Sequence, residues 1–89
     1  MRRVRLMISG HVQGVFFRVS CAERAEELGL SGWVRNASAR GVEAVFEGED
    51  AGIDAMLAWC REGPLYAKVD HVAVTEEVPT GARGFRITH

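Results

Sequence analysis

The hydrophobic period of this chain switches from two to about 3.6 and back, twice, and that alternation leaves few folds open to it. Val4, Leu6 and Ile8 alternate as in a strand of about Arg3 to Ser9, whereas Cys21, Ala22, Ala25 and Leu28 recur at helical spacing over about Arg18 to Leu28. Gly29 ends that helix. Strands follow over about Ser31 to Ala37 and Val42 to Glu47, joined by the hairpin connection Ser38-Ala39-Arg40-Gly41. Asp50 is placed to cap a second helix, which runs to about Arg61 with Ile53, Met56, Leu57 and Cys60 on one stripe until Gly63-Pro64 stops it. A strand at about Val69 to Glu76 comes next and, after Pro79-Thr80-Gly81, an extra short one at about Gly84 to Thr88. The order is βαββαβ, and two helical stripes packed on one face of an antiparallel sheet make a ferredoxin-like α+β sandwich. In the third strand Val42, Ala44 and Phe46 share one face while Glu43 and Glu47 lie on the other, the alternation of a sheet covered on one side only.

Eighty-nine residues make one domain, residues 1–89, able to bury roughly 60 to 68% of its unfolded surface. With 47% hydrophobic and 26% charged residues the chain has the composition of an ordered globular protein. It contains no apolar run long enough to span a membrane, and Met1-Arg2-Arg3-Val4-Arg5-Leu6 lacks the apolar stretch of a signal peptide. A cytoplasmic location without membrane contact is expected. Cys21 and Cys60 are too few for a thiolate metal site, and each falls on a helical apolar stripe. Buried thiols are expected there; the alternative is a disulfide joining the two helices, which a cytosolic setting disfavours. Residues 1–40 hold seven Arg and three Glu, net +4, while residues 41–89 hold four basic and nine acidic residues, net −5. The basic half suits an anionic small molecule.

Between the first strand and first helix stands Gly10-His11-Val12-Gln13-Gly14-Val15-Phe16-Phe17-Arg18. Glycines let a backbone approach a ligand closely, and the unpaired amides at a helix N-terminus favour a phosphate or carboxylate. Arg18 adds a planar, permanently charged fork suited to two oxygens at once. Locally, a helix-surface ion pair with a nearby glutamate would explain Arg18 equally well.

This nonapeptide closely resembles the signature loop of the acylphosphatases, and Gly32-Trp33-Val34-Arg35-Asn36 resembles that family's second signature. The similarity continues through Val42 to Gly48, Gly63-Pro64, Ala67-Lys68-Val69 and Gly84-Phe85-Arg86-Ile87, and so covers essentially the whole chain. One departure is Arg40, where the family usually has a turn glycine, with Gly41 following; a shifted hairpin turn is expected. The resemblance implies hydrolysis of a small-molecule acyl phosphate. Arg18 and the loop amides of Gln13, Gly14, Val15, Phe16, Phe17 and Arg18 would hold the phosphate, and Asn36 would place the attacking water. For Asn36 a turn or strand-edge role is the plainer reading that the second signature displaces.

Such a reaction is chemically consistent with so sparse a site. The leaving carboxylate has a conjugate-acid pKa of roughly 4 to 5, so it departs unprotonated and needs no general acid. Phosphoryl transfer then rests on positioning and charge stabilisation. Neither the guanidinium of Arg18, which offers only donors, nor the amide of Asn36 can serve as base. The water's proton therefore goes to bulk solvent or to a phosphoryl oxygen of the substrate, the latter being the route the family resemblance implies. His11 is a solvated loop residue in this reading, and the three scattered histidines lack metal-ligand spacing, so neither metal nor cofactor is expected. At least one of Phe16 and Phe17 is expected in the core, and Trp33 and Trp59 are expected to pack.

Two other classes compete. A βαββαβ sandwich can be an RNA-recognition module, but only Phe46 is available for base stacking, glutamates flank it and the net charge is −1, so no nucleic acid is expected. A non-catalytic module of a larger protein would also keep this fold. The retained Arg18 and Asn36 favour an enzyme, and a monomer is expected. Lacking an acid, it should hydrolyse acyl phosphates, spare glycerol phosphate and ignore EDTA, and His11→Ala should change turnover less than about tenfold. Steady-state assays check this; robust phosphomonoester hydrolysis would reveal an unrecognised acid or metal.

Overall fold

Residues 1–38 and 40–89 are described in the computed structural model, and Ala39 of the hairpin connection lies outside them. The elements run β1 (Arg2–His11), α1 (Phe17–Glu27), β2 (Ser31–Asn36), β3 (Gly41–Gly48), α2 (Asp50–Glu62), β4 (Lys68–Glu77) and β5 (Phe85–Ile87). The sheet order is β4-β1-β3-β2-β5. β1 pairs antiparallel with β3 and β4, and β2 pairs antiparallel with β3. The predicted sandwich is therefore present, with the antiparallel arrangement broken at one edge: β5 runs parallel to β2, making the sheet mixed. The chain after β4 returns across the reverse side of the sheet, so β5 enters beside β2 in β2's own direction. Gly32 N–H donates to the Gly84 carbonyl (3.0 Å) and Thr88 N–H to that of Val34 (2.9 Å) at the two ends of this pairing.

The alternating residues of β1 (Val4, Leu6, Ile8) and β3 (Val42, Ala44, Phe46) meet Phe17, Cys21 and Ala25 of α1 and Ile53, Met56 and Cys60 of α2 in one core. Phe46 stacks on Phe85 at 5.5 Å, and Phe17 meets Trp59 at 5.3 Å, so these aromatics are packing residues. Cys21 and Cys60 are buried free thiols in contact across the two helices. The hydrogen bond with Cys60, reinforced by burial, pushes the Cys21 thiol well above its usual range, which suppresses the reactive thiolate. α1 closes with the paired bonds of a Schellman motif, Leu30 N–H to the Ala25 carbonyl and Gly29 N–H to that of Glu26. Asp50 is not the cap of α2. Glu49 occupies that position in extended conformation without a side-chain cap bond, and Asp50 is the first helical residue, where its charge still complements the helix dipole. Among the described residues no helix is long and apolar enough to cross a membrane.

The larger correction concerns the face away from the helices. Every residue of β3 is buried, including Glu43 (8% exposed) and Glu47 (2%), because β3 is the central strand and its carboxylates are covered by arginines. Arg5 and Arg35 bind Glu43 at 2.7 and 2.6 Å, Arg3 binds Glu47 at 3.0 Å, and Arg3 and Arg5 share Glu77 at 3.1 and 2.6 Å. Both Arg5 and Arg35 lie over the Trp33 ring, at 5.5 and 5.8 Å. Much of the charge asymmetry between the two halves of the chain is thus spent in ion pairs across the sheet rather than as a field at the loop.

Glu47 also accepts from the Thr80 and Gly81 amides at 3.0 and 2.8 Å. The Thr80 amide first, with Arg3 and Gly81 behind it, lowers its pKa from 4.5 to about 2. Because the folded-state value lies below the unfolded one, the contribution to stability is present in full above about pH 4.5 and is lost as pH falls toward 2. Glu47→Gln should therefore lower the melting temperature at neutral pH and flatten its decline below about pH 4.5. Thermal scans against pH check this; a variant declining as steeply as the parent would remove Glu47 as a source of acid sensitivity.

Candidate active site

Strands β1 and β2 are parallel because each is antiparallel to β3, and β5 is parallel to β2. All three therefore end at the same edge of the sheet. With a strand spacing of about 4.8 Å, the exits of β1 and β2 lie about 10 Å apart, and Ile87 closes β5 beside them. The chain leaves β1 through a bulge against β4, where Ser9 pairs with His71 and Gly10 with Val69, leaving Asp70 as the extra residue. Gly10 has φ 131, and a Cβ there would lie 2.3 Å from the Lys68 carbonyl oxygen. Its role is the close approach of two strands rather than of a ligand. His11 is likewise the exposed last residue of β1, so the loop proper begins at Val12, later than the sequence pattern suggested.

Val12 and Phe17 are each 1% exposed and pin the loop's two ends into the core. Between them Gly14 turns with φ 75 in open space, and Phe16, 78% exposed, adopts a left-handed conformation with φ 61 and ψ 25. Of the two phenylalanines, Phe17 is the core residue. Phe16 is the N-cap of α1 without a side-chain cap bond, and the first turn holds no acidic residue. The first helical bond is Ser20 N–H to the Phe16 carbonyl, 3.0 Å. Among the described residues, the amides of 14–19 find no acceptor in the protein. These donors lie at the end of the helix where its dipole is positive.

Arg18 stands in that first turn. Among the described residues it forms no ion pair or hydrogen bond, unlike Arg24 further along α1, which pairs with Glu27 at 3.6 Å. A cation at a helix N-terminus is unfavourable by about 0.3 to 1 kcal/mol in isolation, so this arrangement suits an anion between guanidinium and amides. Asn36 is the last residue of β2 and lies two beyond buried Val34, on the helix-covered face, opposite Val42. Its side chain also has no partner among the described residues. Arg18 and Asn36 open onto one cavity of about 370 Å³, with Val12, Gly14, Phe16, Phe17, Val19 and Ile87 completing the wall.

Gln13 and Val15 are not on that wall. Val15 packs against the core, and the Gln13 side chain donates to the Ser38 and Gly41 carbonyls, both at 2.8 Å. The apolar wall residues Val19 and Ile87 were not singled out by the sequence pattern: Val19 carries no motif signal, and Ile87 arrives only through the parallel pairing of β5. The hairpin turn is closed by Ala37 N–H to the Gly41 carbonyl (2.9 Å) and Gly41 N–H to that of Ser38 (3.1 Å), and the Arg40 carbonyl accepts from Gly10 at 3.3 Å.

A family model described as Acylphosphatase matches residues 4–87. The chain is 58% identical over 87 residues to a protein named Acylphosphatase from Rubrobacter xylanophilus, covering 97% of this chain and 79% of that one. The structure of an acylphosphatase from Coxiella burnetii superposes with a TM-score of 0.94 at 42% identity, covering 98% of this chain and 92% of that one. The acylphosphatase crystal structure from Bacillus subtilis gives 0.96 at 31% identity over the whole of both chains.

The left-handed Phe16 gives this loop a measurable energetic mark. A non-glycine residue there costs about 1 to 2 kcal/mol, while glycine's greater unfolded-state freedom offsets about 0.5 to 1 of the relief. Phe16→Gly should hold or raise the unfolding free energy in urea titrations, and β-branched Phe16→Val should lower it. A Gly variant destabilised by more than about 2 kcal/mol would mean the ring, not the backbone, sets the loop.

Proposed function

This chain belongs to the acylphosphatase family and hydrolyses acyl phosphates, and from that premise we propose how its residues divide the work. The main-chain amides from Gln13 through Arg18 and the Arg18 guanidinium hold the phosphoryl oxygens, Gln13 contributing through its backbone since its side chain is engaged elsewhere. Asn36 holds the water in line with the departing carboxylate. The observation carrying this reading is that Arg18 and Asn36 line one cavity together with Gly14, Phe16, Phe17 and Val19, whose amides have no protein acceptor among the described residues.

Each part answers a requirement of the reaction. Charge spreads over the equatorial oxygens in the transition state, where a fixed guanidinium and preoriented N–H groups stabilise it without reorganisation. The carboxylate leaves as an anion, so the reaction needs no acid on the cavity wall. The water's proton passes to a phosphoryl oxygen of the substrate or to solvent. Around this polar end the wall is apolar, with Phe16, Val19 and Ile87 at the rim, which favours an acyl group with hydrocarbon surface. We place the activity in the cytoplasm, in a monomer acting on a small-molecule substrate.

Two variants separate the assigned roles. Arg18→Gln should keep the native circular dichroism, lower kcat by about 10² to 10³ or more, and weaken inhibition by inorganic phosphate. Asn36→Ala should lower kcat strongly while leaving phosphate inhibition nearly unchanged. Turnover of benzoyl phosphate with phosphate as competing inhibitor measures both. Equal loss of phosphate affinity in the two variants would move Asn36 into the phosphate cradle, and retention of more than about a tenth of parental turnover in Arg18→Gln would remove Arg18 from it.

A further inference from the structure

Gln13 lies in the cradle loop, yet its side chain turns away from the cavity and bridges to the hairpin that follows Asn36. Its Nε2 donates to two main-chain carbonyls, Ser38 and Gly41, each at 2.8 Å. These are the two carbonyls that close the turn, since Ser38 accepts from Gly41 N–H and Gly41 from Ala37 N–H. Ala37 directly follows Asn36. A third bond, Gly10 N–H to the Arg40 carbonyl at 3.3 Å, joins the same two segments from the end of β1. Both hydrogens of the Gln13 amide are thereby used, and the amide is the only group type of this length that supplies two neutral donors from one atom to two carbonyls.

Resting on the assignment of Asn36 to the attacking water, we propose that Gln13 is a positioning residue that fixes the distance between the phosphate cradle and Asn36. The cradle and Asn36 leave different strands, β1 and β2, with β3 between them, so no direct strand pairing sets their separation. In-line attack requires that separation to be held within a fraction of an ångström, and a misplacement of about 1 Å can cost about a hundredfold in rate. The pair of hydrogen bonds from Gln13 is the brace across this gap.

The brace acts through Asn36 and not on phosphate, which gives it a kinetic mark distinct from loss of fold. Gln13→Ala should lower kcat for benzoyl phosphate by about tenfold or more while changing the inhibition constant of inorganic phosphate less than about threefold. In an Asn36→Ala background the same substitution should cost almost nothing, because the group being positioned is gone. Gln13→Glu keeps the length but sets a carboxylate against two carbonyl oxygens, so it should be at least as impaired near neutral pH. Its kcat relative to the parent should rise from about pH 7 to about pH 5 as protonation restores one donor. Additive losses in the double variant, or a Gln13→Glu enzyme of parental kcat, would overturn the brace. An Asn36→Ala enzyme of parental kcat would instead overturn the assignment beneath it, and circular dichroism of each variant separates both from unfolding.

Discussion

Two carboxylates in the middle of a sheet are tolerable only if their oxygens find donors, since a buried charge without partners is far less stable than one in water. Glu43 and Glu47 stand in the central strand β3, and much of the reverse face is organised around satisfying them. Arg5 and Arg35 converge on Glu43, Arg35 first among the causes that hold its carboxyl below the usual range. Glu47 takes Arg3 from β1 and the amides of Thr80 and Gly81 from the return crossing. Those two amide bonds have a consequence on the other side of the molecule. They hold down the segment that carries the chain from β4 to β5, and hence the parallel pairing that brings Ile87 to the cavity rim.

The sheet thus divides the arginines by role. Arg3, Arg5 and Arg35 alternate onto the reverse face, where carboxylates await them, and Arg2 pairs with Asp54 and Glu76. Arg18 enters α1 just past a left-handed residue and faces no carboxylate among the described residues. Position along the chain, more than net charge, decides which cation remains available to an anion.

How far the sequence carried this follows from which interactions are local. Period-two and helical stripes are imposed by each segment's own geometry, so β1, α1, β3 and α2 could be placed to within a residue or two, and the Gly10 to Arg18 loop with Asn36 could be recognised by motif. The burial of Glu43 and Glu47 was not legible, because alternation says which face a residue occupies and not what distant residues cover that face. Nor was the direction of β5, which depends on a crossing held by Glu47, nor the Gln13 brace, whose acceptors are main-chain carbonyls some twenty-five residues away and leave no trace in side-chain identity. Gly10 misled for a related reason. A glycine beside a loop signals close approach, but only the register with β4 shows that the approaching group is the Lys68 carbonyl.

The cavity gathers several terms that are unfavourable on their own. Among the described residues donors 14–19 lack protein acceptors, an arginine opposes the helix dipole, and Phe16 is held in a conformation that costs about 1 to 2 kcal/mol. On the proposed assignment each of the first two would change sign with a phosphoryl group bound, its oxygens accepting from the amides and its charge lying between guanidinium and helix terminus. The third is a steric cost within the backbone that a phosphoryl group's contacts do not relieve. Its effect is to fix the direction of the amides in advance, so that ordering entropy is met in folding rather than at the moment of binding. A flexible glycine at 16 would remove the strain and also that advance payment. On this physical ground a bulky residue is compatible with a left-handed position in a site whose chemistry consists of positioning.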